Sequence, residues 1–343
     1  MTQHEYLKQL EDALSALDPK DKDELMTDFS EHFAIGLSQG KSEEEIIESL
    51  GSVKDLIESL DLKRLTNQKA ETQGNNKSFN EKVENVIIDG RHADVTIVAS
   101  EDDQTHVDYD ISKRILGKLA TEITTRQEGK TLLVAVTSTN KIFMNSLDAV
   151  DLMLRLPKNL VDVNCKTASG DIHINALNIE SLQLHSLSGD IEADTVKTKT
   201  LNATTISGNL SLHNVSGNLS VKGVSGDIEM LAHCGDACIL ETVSGDIEYK
   251  GTSTEMRIST TSGDGSCEAE DLEVLHVETV SGDFEFDLDI EKKGLTIAFS
   301  STSGELRIGD AEYDAVRHNR TIVIGNGELK VDLKSVSGDF EIE

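Results

Sequence analysis

Ser225-Gly226-Asp227-Ile228, followed by Ser244-Gly245-Asp246-Ile247, is the phrase from which the fold of this chain is read. The same phrase stands at Ser169-Gly170-Asp171-Ile172, Ser188-Gly189-Asp190-Ile191, Ser281-Gly282-Asp283-Phe284 and Ser337-Gly338-Asp339-Phe340. Looser copies are Ser207-Gly208-Asn209 and Ser303-Gly304-Glu305. The glycines at 170, 189, 208, 226, 245, 263 and 282 follow each other at 18 or 19 residues, and the step then lengthens to 22 (Gly304) and 23 (Gly327). A fixed period near 20 residues marks a repeat architecture, in which each unit buries its apolar face only by stacking on its neighbours.

Outward from each glycine the pattern alternates. Seven before it stand Val163, Leu182, Leu201, Leu219, Cys238, Met256, Leu275 and Ile297, and five before it Cys165, Leu184, Ala203, Val221, Leu240, Ile258, Val277 and Phe299. Two after it come Ile172, Ile191, Leu210, Ile228, Ile247 and Phe284. Alternation is a strand signal. Its parity slips by one across Ser-Gly-Asp, so the chain turns a corner there. Glycine is expected to supply a positive φ at that corner. Three before the glycine stands a small hydroxyl, as at Thr167, Ser186, Thr205, Thr242 and Thr260. Buried, such hydroxyls need partners, which the next Ser or Thr in the column can supply. A rung of about 19 residues suits a parallel β-solenoid, with equivalent side chains stacked about 4.8 Å apart. The expected fold is therefore a small N-terminal four-helix bundle (1–65), a flexible linker (66–82) rich in Asn, Gln, Lys, Thr and Ser, and an all-β parallel solenoid (83–343). Within the last, 83–160 reads as cap and early rungs and 161–343 as the Ser-Gly-Asp rungs.

Charge narrows the function classes. The formal net charge is −31 over 343 residues. Such a field repels nucleic acid and anionic lipid, so direct binding to either is not expected. Aromatics make up 3% with no Trp, which removes the usual stacking platforms for bases and sugars. No apolar run approaches the ~20 residues that span a bilayer. Met1 to Leu10 lacks a cationic-then-apolar layout, so a secretory signal is not expected and the expected location is cytoplasmic.

The N-terminal stretch reads as helices. Leu7, Leu10, Leu14 and Leu17 recur at helical spacing, and Asp18-Pro19 starts a second helix carrying Leu25, Phe29, Phe33 and Leu37. Ser42-Glu43-Glu44-Glu45 is a capping box before Ile46, Ile47 and Leu50, and Ser52 caps a last helix through Val53, Leu56, Ile57 and Leu60. Up to Leu65 the segment holds 7 Lys and Arg against 16 Asp and Glu. It reads either as a bundle with a solvated acidic surface or as a docking module for a basic partner. Tyr6-Leu7, Leu10, Leu14, Leu17-Asp18-Pro19, then Asp28-Phe29-Ser30-Glu31-His32-Phe33, then Gly40-Lys41-Ser42-Glu43-Glu44-Glu45-Ile46-Ile47 with Leu50-Gly51 together resemble the HAAS signalling domain. That resemblance implies association with PadR-type transcriptional regulators of Gram-positive bacteria. The partner-docking candidates it brings forward are Phe29, His32, Phe33, Glu43, Glu44 and Glu45.

From Val83 onward, the Asp94-Val95-Thr96-Ile97 strand, the Leu156-Pro157-Lys158 element and the repeated Ser-Gly-Asp-Ile resemble the adhesin-like β-strand-repeat family of unknown function. The residues themselves carry little chemistry. The column after the glycine (Asp171, Asp190, Asn209, Asp227, Asp246, Asp264, Asp283) is either a row of corner caps or, at Asp227, Asp246, Asp264 and Asp283, a candidate Ca²⁺ site. Cys165, Cys238 and Cys267 fall on inward columns and read as reduced core residues; His233-Cys234 with Cys238 is the one metal-like cluster. His173, His213 and His233 are expected at the surface. No nucleophile elbow, zinc-protease motif or phosphate loop is present, so no catalytic residue and no cofactor are expected. The chain ends inside a repeat, at Ser337-Gly338-Asp339-Phe340, which predicts an open last rung able to self-associate. The reading is a non-enzymatic interaction protein: the helical part docks a PadR-type regulator and the solenoid senses or scaffolds. The alternative is a structural, envelope-associated adhesin-like protein.

Overall fold

The computed structural model describes residues 1–15, 22, 26, 29, 30, 33, 37, 42–50, 52–54, 72–79, 82–113, 121–138, 148–158, 160–288, 290–313 and 320–343. It divides into two compact units. One comprises Met1–Asn75, Asp110–Ile123 and Thr137–Val150; the other Asn76–Tyr109, Thr124–Val136 and Asp151–Glu343.

Two helices are delimited near the N-terminus, Gln3–Ala13 and Glu43–Leu50. Each opens on a reciprocal capping box. The Glu5 amide donates to Thr2 Oγ1 and the Thr2 amide to a Glu5 carboxylate oxygen. The Glu45 amide donates to Ser42 Oγ at 3.2 Å, and the Ser42 amide to Glu45 at 2.8 Å. Helices of 11 and 8 residues are too short to persist alone, so the apolar stripe must hold them. Tyr6, Leu10, Leu14, Phe29, Phe33, Ile46 and Val53 are buried in one cluster, with Tyr6 and Phe33 edge to face at 5.8 Å. The four-helix reading is not supported, since only these two helices are delimited among the described residues of this region. Leu17, Asp18, Pro19, Leu25, Leu56, Ile57 and Leu60 lie outside them. Within the span read as a linker, Thr72–Phe79 is a strand.

The larger unit is built from two parallel ladders. One joins Leu132, Val86, Val163, Leu182, Leu201, Leu219, Cys238, Met256, Leu275, Val331 and Ile297 as successive Cα partners. The other joins Leu152, Val95, Ile172, Ile191, Leu210, Ile228, Ile247, Gly265, Phe284, Phe340 and Leu306. The alternating residues of both ladders are buried, and they meet across the core: Cys238 Sγ lies 3.8 Å from Met230 Sδ, and Cys267 Sγ 3.5 Å from Met256 Sδ. Phe284 fills the space left by the missing side chain of Gly265. The repeat thus forms a solenoid-like stack, mostly β throughout.

Stacking order departs from chain order at both ends. The rung of Val86 and Val95 lies between the later rung of Leu132 and Leu152 and that of Val163 and Ile172. At the other end the last rung, Leu329–Lys334 with Phe340–Ile342, is inserted between Val274–Glu278 with Phe284–Leu288 and Leu295–Ser300 with Leu306–Ile308. This overturns the open C-terminal rung. The Phe340 amide donates to the Glu305 carbonyl and the Phe284 amide to the Asp339 carbonyl, both at 2.9 Å, so this rung is paired on both sides. The outermost strands there carry antiparallel partners instead, Arg320–Ile324 on Leu295–Ser300 and Ala311–Tyr313 on Leu306–Ile308. Gly327, which the spacing placed in the repeat column, lies elsewhere, and Gly338 takes its place next to Gly282 and Gly304.

Candidate functional site

The Ser-Gly-Asp corner is where the unit's polar groups converge, and it is built residue by residue. The glycines of the corner do not have positive φ, contrary to the expectation. Steric approach requires them instead. A Cβ on Gly189, Gly208, Gly226, Gly245, Gly263 or Gly282 would collide with the carbonyl of the glycine one rung below, inside the 3.0 Å that real Cβ contacts essentially never show. Three residues earlier, the buried hydroxyl accepts from the glycine amide: Gly189 to Ser186 Oγ at 2.8 Å, Gly245 to Thr242 Oγ1 at 3.2 Å, Gly263 to Thr260 Oγ1 at 3.1 Å and Gly282 to Thr279 Oγ1 at 2.9 Å. Hydroxyl-to-hydroxyl contacts occur between Thr167 and Ser186 and between Ser335 and Ser301. The local glycine amide, rather than the next hydroxyl, is thus the recurring partner.

After the glycine the carboxylates form a ladder. Asp94 Oδ1 accepts the Asp171 amide, Asp171 that of Asp190, and Asp190 that of Asn209. Asn209 accepts from Asp227, and the chain continues through Asp246, Asp264, Asp283 and Asp339 to Glu305, at 2.7 to 3.1 Å. Like charges about 4.8 Å apart repel, while each amide bond to a carboxylate contributes about 1.5–3 kcal/mol. The Asp column is therefore a run of caps reaching to the next rung. The Ca²⁺ candidates Asp227, Asp246 and Asp264 each have Oδ1 committed to the next Asp amide in this way, and Asp283 Oδ1 is committed to the Asp339 amide. Among the described residues no three His, Cys, Asp or Glu side chains are grouped to hold a metal ion.

Two residues further on, a second column carries His173, whose Nδ1 lies 3.0 Å from Glu192, and Glu229, which His213 Nε2, two residues beyond the column in the neighbouring rung, approaches at 3.2 Å. Between the two columns runs an open trough of about 630 Å³ bordered by Asp227, Glu229, Asp246, Glu248 and Asp264. It is an anionic surface, and the hydroxyl-bearing residues Ser211 and Ser266 also line it.

His233 departs from its expected place. It is buried, its Nδ1 is 2.9 Å from the Tyr249 hydroxyl and its Nε2 is 3.0 Å from the Gly217 carbonyl oxygen. Burial lowers its pKa, and burial likewise raises that of Tyr249. Cys165, Cys238 and Cys267 are buried free thiols, held protonated by desolvation, with Cys267 pushed up to about 12. Cys234 is exposed, so the His233, Cys234 and Cys238 cluster does not share a site.

Of the docking candidates, Phe29 and Phe33 are core residues of the helical unit and cannot present a surface. His32 lies outside the described residues. Glu43 accepts the Gln3 amide at 2.8 Å, Glu45 closes the capping box, and Glu44 is exposed. Sequence reading also missed a second corner, six residues after the glycine, where Ala176, Thr195, Asn214 and Ala232 take left-handed φ between 53° and 57°. Asn at 214 was its only compositional signal.

A stack of in-register parallel rungs with a glycine-and-carboxylate corner defines a class of β-repeat protein. The Toastrack DUF4097 family matches residues 83–343, and the chain belongs to that family. HAAS matches residues 5–59. Among curated proteins, none matches the chain in sequence. Similar solved structures include one from Parabacteroides distasonis ATCC 8503 provisionally named a lipid binding protein, with TM-score 0.50 at 19% identity, covering 81% of this chain and 98% of that one. Two others carry the provisional name of adhesin. The one from Bacteroides fragilis NCTC 9343 has TM-score 0.44 at 14% identity and covers 79% and 97% of the two chains. The one from Parabacteroides distasonis ATCC 8503 has TM-score 0.47 at 10% identity and covers 80% and 98%. At 19% identity the first of these likenesses speaks to fold alone. Among the described residues no helix is long and apolar enough to cross a membrane.

Proposed function

We propose that the chain is a non-enzymatic, cytoplasmic interaction protein. Its helical domain docks a PadR-type transcriptional regulator, and its β-solenoid supplies a rigid acidic surface for sensing or scaffolding. The observation that carries this reading is the HAAS match over residues 5–59, a domain associated with such regulators. Supporting it, the second helix begins on three glutamates, of which Glu44 points to solvent, and a DNA-binding regulator is a basic partner.

The test uses the full chain. Tagged protein expressed in its native bacterium is expected to co-purify a winged-helix regulator, and Glu44→Lys is expected to weaken that recovery. Recovery of no regulator, or equal recovery by a chain lacking residues 5–59, overturns the docking reading.

A further inference from the structure

We propose that the Ser-Gly-Asp corner carries an apolar ridge that docks a cationic amphipathic helix. The inference does not rest on the docking role of the helical domain. The ridge is formed by the residue two before the glycine: Leu187, Ile206, Val224, Val243, Val280 and Val336. Each is a large aliphatic side chain between 42 and 54% exposed. They occur at one rung position, in a unit that buries its other aliphatic columns almost completely. Singly exposed apolar residues need no explanation, but a column of six at one rung position does. The column is in register: the Ser207 amide donates to the Leu187 carbonyl, Ser225 to Ile206, Ser244 to Val224 and Ser337 to Val280. Thr261 occupies the same position between Val243 and Val280.

Two observations choose the occupant. The aspartate ladder runs parallel to the ridge, three residues along each rung, with its carboxylates exposed and fixed by the amide bonds described above. A second copy would bring one acidic column against another, in a chain whose net charge is −31, so a cationic partner fits and a like copy does not. The dimensions suit a helix. From Leu187 to Val336 in stacking order the ridge spans six steps of about 4.8 Å, or about 29 Å. A helix of about 19 residues covers that length, and its pitch of about 5.4 Å is close to the rung spacing. The serine hydroxyls beside the ridge are turned onto backbone carbonyls, as Ser225 Oγ onto Ile206 and Ser244 Oγ onto Val224. These hydroxyls are therefore already partnered by the backbone and do not have to give up a solvent-facing orientation when the ridge is covered.

The probe is a 20-residue amphipathic Leu/Lys peptide bearing one Trp, titrated into the full chain. The protein contains no Trp, so the emission belongs to the peptide. A peptide of the same composition in scrambled order is the control. The variant Ile206→Thr/Val224→Thr/Val243→Thr is expected to fold, because Thr261 and Thr302 already stand at that position. It is expected to weaken binding by about tenfold or more. Asp227→Asn/Asp246→Asn keeps the amide acceptor, as Asn209 does natively, and is expected to weaken binding and flatten its salt dependence. No saturable binding, equal binding of the scrambled peptide, or a triple variant that binds as the parent does would each overturn the proposal. So would a change in the sedimentation of the protein alone on introducing the three threonines, which assigns the ridge to a second copy.

Discussion

In the four rungs that begin at Gly170, Gly189, Gly208 and Gly226, the two corners solve the same turning problem with opposite chemistry. At the Ser-Gly-Asp corner φ is ordinary and space is absent, because each glycine lies against the carbonyl of the residue one rung below. At the second corner φ is left-handed at Ala176, Thr195, Asn214 and Ala232, and side chains are tolerated. The first corner is limited by what a Cβ would hit, the second by what the backbone would rather not do. Crowding forbids substitution, so the first corner is written in the sequence as a motif. Strain of about 1–2 kcal/mol per residue only discourages it, so the second is not.

The sharpest way to break this contrast is Gly226→Ala. Its Cβ meets the Gly208 carbonyl, backbone that a side-chain rotation cannot clear. Urea denaturation is expected to show a loss of at least about 3 kcal/mol. A loss under about 1 kcal/mol would mean the rungs separate easily and crowding is not the reason for glycine. Next in size is Thr242→Val, which keeps the shape and removes the acceptor of the buried Gly245 amide. The expected loss is about 1–3 kcal/mol.

The second corner is probed by pH. His233, beside Ala232, is buried against Tyr249 and the Gly217 carbonyl, and burial lowers its pKa. In the window from its lowered folded value up to the unfolded value of about 6.5, the unfolded chain binds more protons. Stability is therefore complete above about pH 6.5 and falls as the pH drops below it. Thermal melts of the parent and of His233→Gln should diverge in slope there, the variant being the flatter. The smallest effect is expected from Ala232→Gly, which relieves the left-handed φ at an exposed position. A gain of up to about 1 kcal/mol is expected after the added freedom of the unfolded chain is subtracted. Together, alanine is forbidden at one corner while glycine is welcome at both.

Much of the larger unit was legible from residue spacing. The inward columns from Val163 to Leu275 and from Ile172 to Phe284 follow from alternation about the glycine, because burial on one face has period two. The aspartates were legible as amide caps, although the amide each one caps belongs to the next rung. The role of the glycine was misread, since a φ requirement and a packing requirement leave the same letter. His233 was misread because its partner Tyr249 is sixteen residues away and its hydrogen bond crosses a rung. Phe29 and Phe33 looked available for docking, but a short helical unit needs its aromatics inside.

The sequence by itself determined the period, the parallel register of the middle rungs, the inward columns and the acidic face. All of these are local or nearest-neighbour properties, repeated often enough to be read. Only the tertiary structure decided the order of the rungs at the two ends. Val86 precedes Leu132 in the chain but lies inside it in the stack, and Phe340 follows Leu306 but lies inside it too. Every rung offers the same backbone edges and the same apolar columns, so the motif carries no address for its neighbour. Which rung stacks on which is settled by long-range fit, such as Phe340 against Phe284, Phe286 and Phe299, and such contacts have no signature along the chain.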